Sequence, residues 1–287
     1  MTPHRLLVRA EDAGKRIDVF LAEHVDGLSR RRARTLIEGG AVWLDDQRLR
    51  VLSRRLRAGQ EVVCHADTPP AVEPLAPERL LHEDQAMVVI DKPPGVPSHP
   101  TRARVRGTAL DSTEEYLRRR AGAKVPLWPL HRLDAGTSGI LLFAKTREAA
   151  RGISQNFARR RVRKGYVAVV EGRLDPPEGE IRLPLAERSL ETRPDPGGKE
   201  AITRYRVVRS SAERSLVEVE PLTGRMHQIR VHLAAVGHPV VGDARYGHAA
   251  PGSRLALHAA ELELPHPSSG RAFLVRCPPP ADFPGLL

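Results

Sequence analysis

Apolar residues recur at helical spacing in several parts of the chain. Near the N-terminus they predict two short helices, the first around Ile17 and the second capped by Ser29 and ended by Gly39-Gly40. Further along, the same spacing predicts a helix over 148–160 and another over 226–236, which Gly237 would end. The helices are therefore few and short.

Strand patterns are more frequent than helical ones. Short apolar or alternating runs, bounded by turn residues, lie at 41–44, 61–63, 86–90, 139–144, 166–170, 202–208, 216–219 and 255–264. We expect the run at 255–264 to be the last strand. Because strands outnumber helices and mostly follow one another directly, the pattern predicts an α+β fold with a mixed, largely antiparallel sheet.

A proline-rich segment interrupts these patterns at 67–77. It contains Pro69, Pro70, Pro74 and Pro77 and has no periodic apolar residues, which is typical of a stiff connector. We therefore predict an N-terminal module at residues 1–66, with its elements at about 14–64, then the linker, and then a larger domain at 78–287. The module is predicted to be a small α/β unit.

Composition adds a strong positive charge. The chain has 46 Lys and Arg against 35 Asp and Glu, a net charge of +11. Such an excess favours a polyanionic partner, although a compositional bias of the genome would also raise arginine everywhere, so the location of the charges must decide. The two cysteines, Cys64 and Cys277, match no zinc or redox spacing. With no leader and no membrane-length apolar run, we expect a cytoplasmic protein without membrane contact.

The N-terminal module carries a dense cluster of basic residues. Arg30, Arg31 and Arg32 follow the cap residue Ser29, and Arg34 comes shortly after. Cations in the first helical turn oppose the macrodipole and cost about 0.3–1 kcal/mol each. A merely solvated charged face would not explain that cost, so we expect these four arginines to contact RNA phosphates.

One segment is suited to chemistry more than any other. Asp134 stands between Arg132 and a turn of glycine, threonine and serine, immediately before the apolar run at 139–144. Positive neighbours favour the ionised carboxylate, which can act as a nucleophile or a base. The alternative is an aspartate that only caps the turn.

Two further segments hold candidate side chains. If 226–236 is helical, His227 and Arg230 share one face, and that face is suited to the wall of a site. The spacing of His227 and His232 does not match a helical zinc pair, so we expect no metal. Tyr166, at the start of a strand, either stacks on a nucleobase or is an ordinary core tyrosine.

These motifs, in their order, resemble the RluA family of pseudouridine synthases. The string from His131 to Gly139 is similar to the family's catalytic signature. Other matching segments are 91–95 with His99, Lys164 with Tyr166 and Gly172, 223–232, Gly242-Asp243, Tyr246-Gly247, 257–259 and His266-Pro267. The N-terminal module resembles the RNA-binding domain found in a small-subunit ribosomal protein, at 16–18, 28–30, 37–40 and 58–62. It departs at 44–46, where a hairpin turn differs, and Met226 stands where the family usually has threonine.

The resemblance implies a role for each matching residue. Asp134 would be the catalytic aspartate, Arg230 would pair with it, and Tyr166 would stack on the target uracil. Arg132 would fill the gap left by the flipped uridine, and RNA contacts are also expected at His131, Arg225 and His227. The isomerisation breaks the bond between ribose and a uracil nitrogen and joins the sugar to carbon 5, so no cofactor and no metal are expected.

Several alternatives remain open from the sequence. A catalytically degenerate RNA-binding protein would have lost Asp134, Tyr166 or Arg230, and all three are present. A glycoside hydrolase or nucleosidase would need a second carboxylate as general acid, for which Asp243 is a candidate. The substrate is expected to be large-subunit ribosomal RNA, with transfer RNA as the alternative. We expect a monomer that needs no obligate protein partner.

Overall fold

The computed structural model describes residues 3–38, 40–49, 51–66, 72–100, 106–188, 191–280 and 283. The chain divides into two compact units, Met1–Glu73 with Pro100–Thr108, and Pro74–His99 with Ala109–Leu287. The predicted boundaries around a linker at 67–77 stay a prediction, and residues 67–71 lie outside the described residues.

The first unit pairs two helices with a four-stranded sheet. The helices are α1 (Ile17–His24) and α2 (Arg30–Glu38), and the strands are β1 (His4–Leu7), β2 (Val42–Leu44), β3 (Gln47–Leu49) and β4 (Glu61–Cys64). The sheet is antiparallel, in the order β1-β4-β2-β3. The predicted cap of α2 is confirmed, because Ser29 Oγ accepts the backbone N–H of Arg32 at 3.3 Å. Strands β1 and β3 were not predicted.

The second unit is built mainly from strands. Its helices are α3 (Ala109–Ala121), α4 (Arg147–Ala158) and α5 (Gln228–Ala235). Its strands are β5 (Leu80–Glu83), β6 (Met87–Lys92), β7 (Trp128–Pro129), β8 (Ser138–Ala144), β9 (Arg163–Glu171), β10 (Glu178–Arg182), β11 (Leu185–Arg188), β12 (Glu191–Pro194), β13 (Ile202–Ser210), β14 (Arg214–Pro221), β15 (Leu257–Pro265) and β16 (Ala272–Arg276).

A single large sheet forms the body of this unit. Its strand order is β10-β13-β14-β9-β15-β8-β6-β5, with β16 beside β15 and β7 beside β8, while β11 and β12 form a separate hairpin. Among the pairs in the described residues, β8 with β15 is parallel and the others are antiparallel. The predicted α+β class with a largely antiparallel sheet is confirmed.

Central strand β8 is buried along its whole length, from Ser138 to Ala144, and is apolar after Ser138. Its second residue, Gly139, has φ +104° and lies so close to the backbone oxygen of Ala259 in β15 that a side chain there would collide with it. Glycine therefore permits the parallel pairing of β8 with β15 directly after the loop that contains Asp134.

Two predicted elements differ from the structure. The helix predicted over 226–236 begins only at Gln228, because His227 adopts a left-handed backbone conformation with φ 54°. The strand predicted as the last is followed by β16, which completes a hairpin with β15. Within the described part of the chain, no helix has the length and apolarity needed to cross a membrane.

Candidate active site

The loop between β7 and β8 presents Asp134 with its backbone fixed on both sides. Ser98 Oγ accepts the N–H of Leu133 and donates to the carbonyl oxygen of the same residue, both at 2.8 Å. On the other side, Lys92 Nζ donates to the carbonyl oxygen of Ala135 at 3.1 Å. These bonds limit the movement of the peptide units that flank Asp134.

Lys92 is an unusual anchor because it is fully buried. Its ammonium group also donates to the carbonyl oxygens of Pro93 and Val96. Burial lowers the pKa of Lys92 to about 7, although the negative charge of Asp134 opposes that shift. Carbonyl oxygens thus take the place of a carboxylate partner.

Arg230, on α5, holds the Asp134 carboxylate. Its Nη1 donates to Oδ2 of Asp134 at 2.9 Å, while Nε and Nη2 donate to the two oxygens of Asp243 at 2.7 and 2.8 Å. The fork toward Asp243 fixes the plane of the guanidinium group, and this leaves the third nitrogen aimed at Asp134.

Asp243 serves as the buried counter-charge of this arrangement. Its Oδ1 also accepts the backbone N–H groups of Arg245 and Tyr246 at 2.9 and 3.1 Å. Burial alone would raise the pKa of Asp243, but these bonds and the charge of Arg230 outweigh it and hold the pKa below its usual value. Asp243 is therefore ionised at neutral pH and cannot donate a proton as a general acid.

The Asp134 carboxylate does not cap the turn that follows it. The turn is closed by a backbone bond, in which the N–H of Thr137 donates to the carbonyl oxygen of Asp134 at 3.1 Å. In the described residues the carboxylate accepts from Arg230 and from no backbone N–H. The alternative of a turn cap therefore has no hydrogen bond to support it.

Asp134 lines a cavity of about 460 Å³. The cavity is within the size range of small-ligand sites. All seven residues that the sequence placed in a site of this domain line it, namely His131, Arg132, Asp134, Tyr166, Arg225, His227 and Arg230. Residues as far apart in sequence as Asp134 and Arg230 are therefore brought to one place.

Tyr166 lies on β9, in the wall of the cavity. Burial raises the pKa of its hydroxyl well above the usual value, and the negative charge of Asp134 raises it further. The hydroxyl therefore stays protonated at neutral pH. It can donate a hydrogen bond, and the ring offers an apolar face to a flat ligand.

His131 is held by the sheet. Its Nε2 accepts the backbone N–H of Leu142 in β8 at 2.9 Å, and its ring lies 5.7 Å from that of Phe157. Burial, with a smaller effect of Lys164, lowers the pKa of His131 to about 3. It is neutral at physiological pH, so its contribution to RNA binding would not be that of a cation.

The predicted arginines of the first unit have different surroundings. Arg30 Nε donates to Oδ2 of the buried Asp18 at 3.0 Å, so this side chain also stabilises the unit internally. Arg32 donates to the carbonyl oxygen of Ala66. Arg31 and Arg34 are exposed and line one shallow surface depression together with Arg30.

One group in the first unit has the ligand geometry of a metal site. Oxygen and nitrogen atoms of Asp12, Glu23 and His24 converge within 4.8 Å, the one such group among the described residues. Lys15 Nζ binds both carboxylates, at 2.9 and 2.7 Å. The ammonium group thus already compensates part of their negative charge.

The sequence indicated no role for Lys92 or Tyr246 in this site, and it offered Asp243 only as the candidate general acid of a hydrolase. Each lies in a segment that matched the family resemblance, and this was the available signal. Their contacts with Ala135, Arg230 and His227 depend on the tertiary fold and have no counterpart in local spacing.

Comparison with known proteins agrees with this geometry. The family model for RNA pseudouridylate synthase matches residues 86–235, and the model for the S4 domain matches residues 15–62. The chain belongs to the RluA family of RNA pseudouridylate synthases. The predicted family is therefore confirmed, and the protein is an RNA pseudouridine synthase with an RNA-binding S4 domain at its N-terminus.

Relatives of this synthase cover much or most of its length. An RNA pseudouridine synthase of Bacillus subtilis, YhcT, is 39% identical over 216 residues, 72% of this chain and 70% of that protein. Ribosomal large subunit pseudouridine synthase D of Nitrosomonas europaea is 34% identical and covers 96% of this chain and 84% of its own. Ribosomal large subunit pseudouridine synthase C of Escherichia coli is 32% identical, and the match covers 94% of this chain and 91% of that protein.

Solved structures show the same fold. The human protein RNA pseudouridylate synthase domain containing 4 has a TM-score of 0.62 and 28% identity, and the match covers 72% of this chain and 90% of that one. The human protein RNA pseudouridylate synthase domain containing 1 has a TM-score of 0.60 and 29% identity, and the match covers 75% of this chain and 87% of that one.

Proposed function

We propose that this synthase isomerises uridines of large-subunit ribosomal RNA, with Asp134 as the catalytic carboxylate. The observation that carries the catalytic assignment is the placement of Asp134 in the cavity, with one oxygen held by Arg230 at 2.9 Å and Arg230 itself fixed by Asp243. The contact with Arg230 fixes the orientation of the carboxylate toward the interior of the cavity.

The reaction needs a group that acts at the sugar. The bond from ribose carbon 1′ to uracil nitrogen 1 breaks, the ring turns, and carbon 1′ joins carbon 5. Nitrogen 1 gains a proton and carbon 5 loses one, so atoms and charge balance without a co-substrate. Asp134 acts either as the nucleophile at carbon 1′ or as the base that removes the proton of carbon 2′.

Tyr166 is proposed to stack on the uracil and to offer its hydroxyl to the proton transfer at carbon 5. Since its pKa is raised by burial, the hydroxyl begins the reaction protonated. A protonated phenol can pass a proton on only while it receives one, so it would act as a relay.

Substitution of Tyr166 by phenylalanine separates stacking from proton transfer. We expect Tyr166→Phe to bind RNA as tightly as the wild type and to turn over about 10²–10⁴ times more slowly, because the ring remains and only the hydroxyl is lost. Filter binding and tritium release from uridine labelled at carbon 5 measure the two properties. Full turnover would leave Tyr166 with a stacking role alone.

The geometry disfavours the competing hydrolase reading. A glycosidase that uses two carboxylates needs one of them protonated. Asp243 has both oxygens engaged by Arg230 and a lowered pKa. The second carboxylate therefore serves to hold Arg230.

RNA contacts are proposed on both units. Arg132 is exposed and Arg225 half-buried at the cavity, and both would contact the strand around the flipped uridine. His131 and His227 would contribute to the neutral wall of the cavity. On the first unit, Arg31 and Arg34 are exposed, and with Arg30 and Arg32 they would bind phosphates.

The substrate proposal rests on two of the relatives. Those from Nitrosomonas europaea and Escherichia coli are named ribosomal large subunit pseudouridine synthases, and each match covers more than nine-tenths of this chain. The S4 domain model at 15–62 also suits a structured RNA partner. Transfer RNA is the alternative substrate.

Unmodified transcripts distinguish the two substrates. We expect the purified enzyme to release tritium from large-subunit ribosomal RNA labelled at carbon 5 of uridine, and to leave a pool of transfer RNA transcripts unchanged. Carbodiimide mapping of the product then identifies the positions. Modification of transfer RNA at the higher kcat/KM would overturn the ribosomal assignment while leaving the chemistry in place.

A further inference from the structure

A hydrogen-bond chain behind the carboxylate fixes the protonation of His227. The backbone N–H of Thr192 donates to Tyr246 Oη at 3.1 Å, and the same oxygen lies 2.7 Å from Nδ1 of His227. Within the described residues these are the two bonds of the hydroxyl, so its single proton has one acceptor, Nδ1. The neutral imidazole therefore carries its own proton on Nε2, an assignment from the network.

His227 is neutral under physiological conditions. Burial lowers its pKa, and although the charge of Asp134 raises it, the cations Arg230, Arg245 and Arg132 lower it again. The side chain is thus a hydrogen-bond donor of fixed direction and carries no charge.

The donor atom faces the oxygen of Asp134 that Arg230 leaves free. Nε2 lies 3.8 Å from Oδ1, while Arg230 holds Oδ2 at 2.9 Å. A distance of 3.8 Å is longer than a hydrogen bond. Donor–acceptor pairs in active sites commonly shorten when the substrate is bound, and a small movement of either side chain would close this one.

The backbone of His227 is strained where it presents this donor. With φ 54° and ψ 18° the residue is left-handed, a conformation that costs a residue with a side chain about 1–2 kcal/mol. Asparagine tolerates it better than most residues. Such strain occurs where the surrounding structure fixes a side chain for a purpose, and here it turns the imidazole into the cavity wall.

We propose that His227 is a positioning residue of the isomerisation: held by Tyr246 with its proton on Nε2, it donates to Oδ1 of Asp134 once the uridine is bound. The reacting carboxylate would then be oriented by a cation at one oxygen and by a neutral donor at the other. This inference rests on the proposed catalytic role of Asp134, and it assigns His227 a function at the carboxylate in place of a contact with the RNA strand.

Two substitutions of His227 separate positioning from backbone strain. Glutamine places an N–H near the position of Nε2, whereas asparagine is one bond shorter and cannot reach Asp134. We expect His227→Asn to lower kcat about 10²-fold and His227→Gln to keep kcat within about tenfold of the wild type. The KM for RNA should not change in either variant.

The thermal stability of the two His227 variants should follow the order opposite to that of their kcat values. Asparagine suits the left-handed backbone, so His227→Asn should melt at or above the temperature of His227→Gln. A residue that served the fold alone would lose activity in the order of stability, with glutamine worse than asparagine. If His227 positions Asp134, activity and stability therefore rank the two variants in opposite orders. If His227 serves only the fold, the two properties rank them in the same order.

Tyr246→Phe tests the origin of the fixed proton. The ring stays, including its position 5.1 Å from the guanidinium of Arg230, and only the hydroxyl is lost. We expect kcat to fall by up to about tenfold. Combined with His227→Asn, Tyr246→Phe should cause no further loss, because the chain acts through one donor.

The decisive experiment measures kcat and KM for tritium release with these variants beside Asp134→Asn. The inference is supported if Asp134→Asn is inactive, His227→Asn is impaired in kcat and His227→Gln is not. If Asp134→Asn is inactive but His227→Asn turns over normally, or if the loss is entirely in KM, the positioning role alone is overturned. An active Asp134→Asn would overturn the proposed function and this inference together.

Discussion

Replacing Arg230 with methionine should lower the free energy of unfolding by about 3–5 kcal/mol and reduce pseudouridine formation at least about 10²-fold. The stability loss arises because Asp243 is fully buried and would keep its charge without its partner. The activity loss arises because Asp134 would lose the group that orients Oδ2. Denaturant unfolding and tritium release measure the two effects.

The double variant Arg230→Met/Asp243→Asn distinguishes these causes. Removing the buried charge should restore part of the stability, because the uncompensated carboxylate is gone, and should restore none of the activity. Arg225→Met is a matched control in the same cavity, since Arg225 is only half-buried and its guanidinium donates to the carbonyl oxygen of Glu200 without contacting a carboxylate there. We expect a stability change below about 1 kcal/mol there.

The destabilisation of Arg230→Met should also depend on pH. In the wild type the pKa of Asp243 lies below its unfolded value, so the ion pair stabilises the fold above the unfolded pKa of about 3.9. That stability is lost as the pH falls through the folded pKa. The difference in the free energy of unfolding between wild type and variant should therefore be largest at neutral pH and become smaller in acid. A difference independent of pH would contradict the role given to Asp243.

Asp134→Asn should abolish pseudouridine formation and leave fold and RNA affinity nearly unchanged. Asparagine is almost isosteric and can still accept from Arg230, so packing survives. It has no charge and can act neither as nucleophile nor as base. We expect a loss of more than about 10⁴-fold in rate, beyond the usual effect of one acid–base group.

The predictable part of the fold follows from apolar runs. Strands β8 and β6 were both predicted, because each contains a continuous apolar run that is buried in the structure. Helix α3 was missed because one of its three buried positions, Thr113, is polar, and most of the remaining positions are charged or polar. Strand β16 was missed although the sequence has a short apolar run at 272–275, of which the structure buries only Val275.

The candidate site also has a part that local sequence predicts and a part that depends on tertiary contacts. The segment around Asp134 can be recognised as a candidate because its charge and turn residues stand beside a buried strand. Its pairing with Arg230, 96 positions away, came from the family resemblance, since spacing carries no information on tertiary contacts. The expectation that His227 shares a helical face with Arg230 was wrong in its reason, because a left-handed residue precedes the helix, although both side chains line the cavity.

Isomerisation by the Asp134 carboxylate can be tested in one assay. The wild type and Asp134→Asn are compared for tritium release from large-subunit ribosomal RNA labelled at carbon 5 of uridine, with a melting curve of each protein. The proposed mechanism predicts two proteins of equal stability, of which the variant releases no tritium. If the carboxylate served the fold alone, the variant would lose about 1 kcal/mol of stability and turn over normally, and that result would contradict the mechanism.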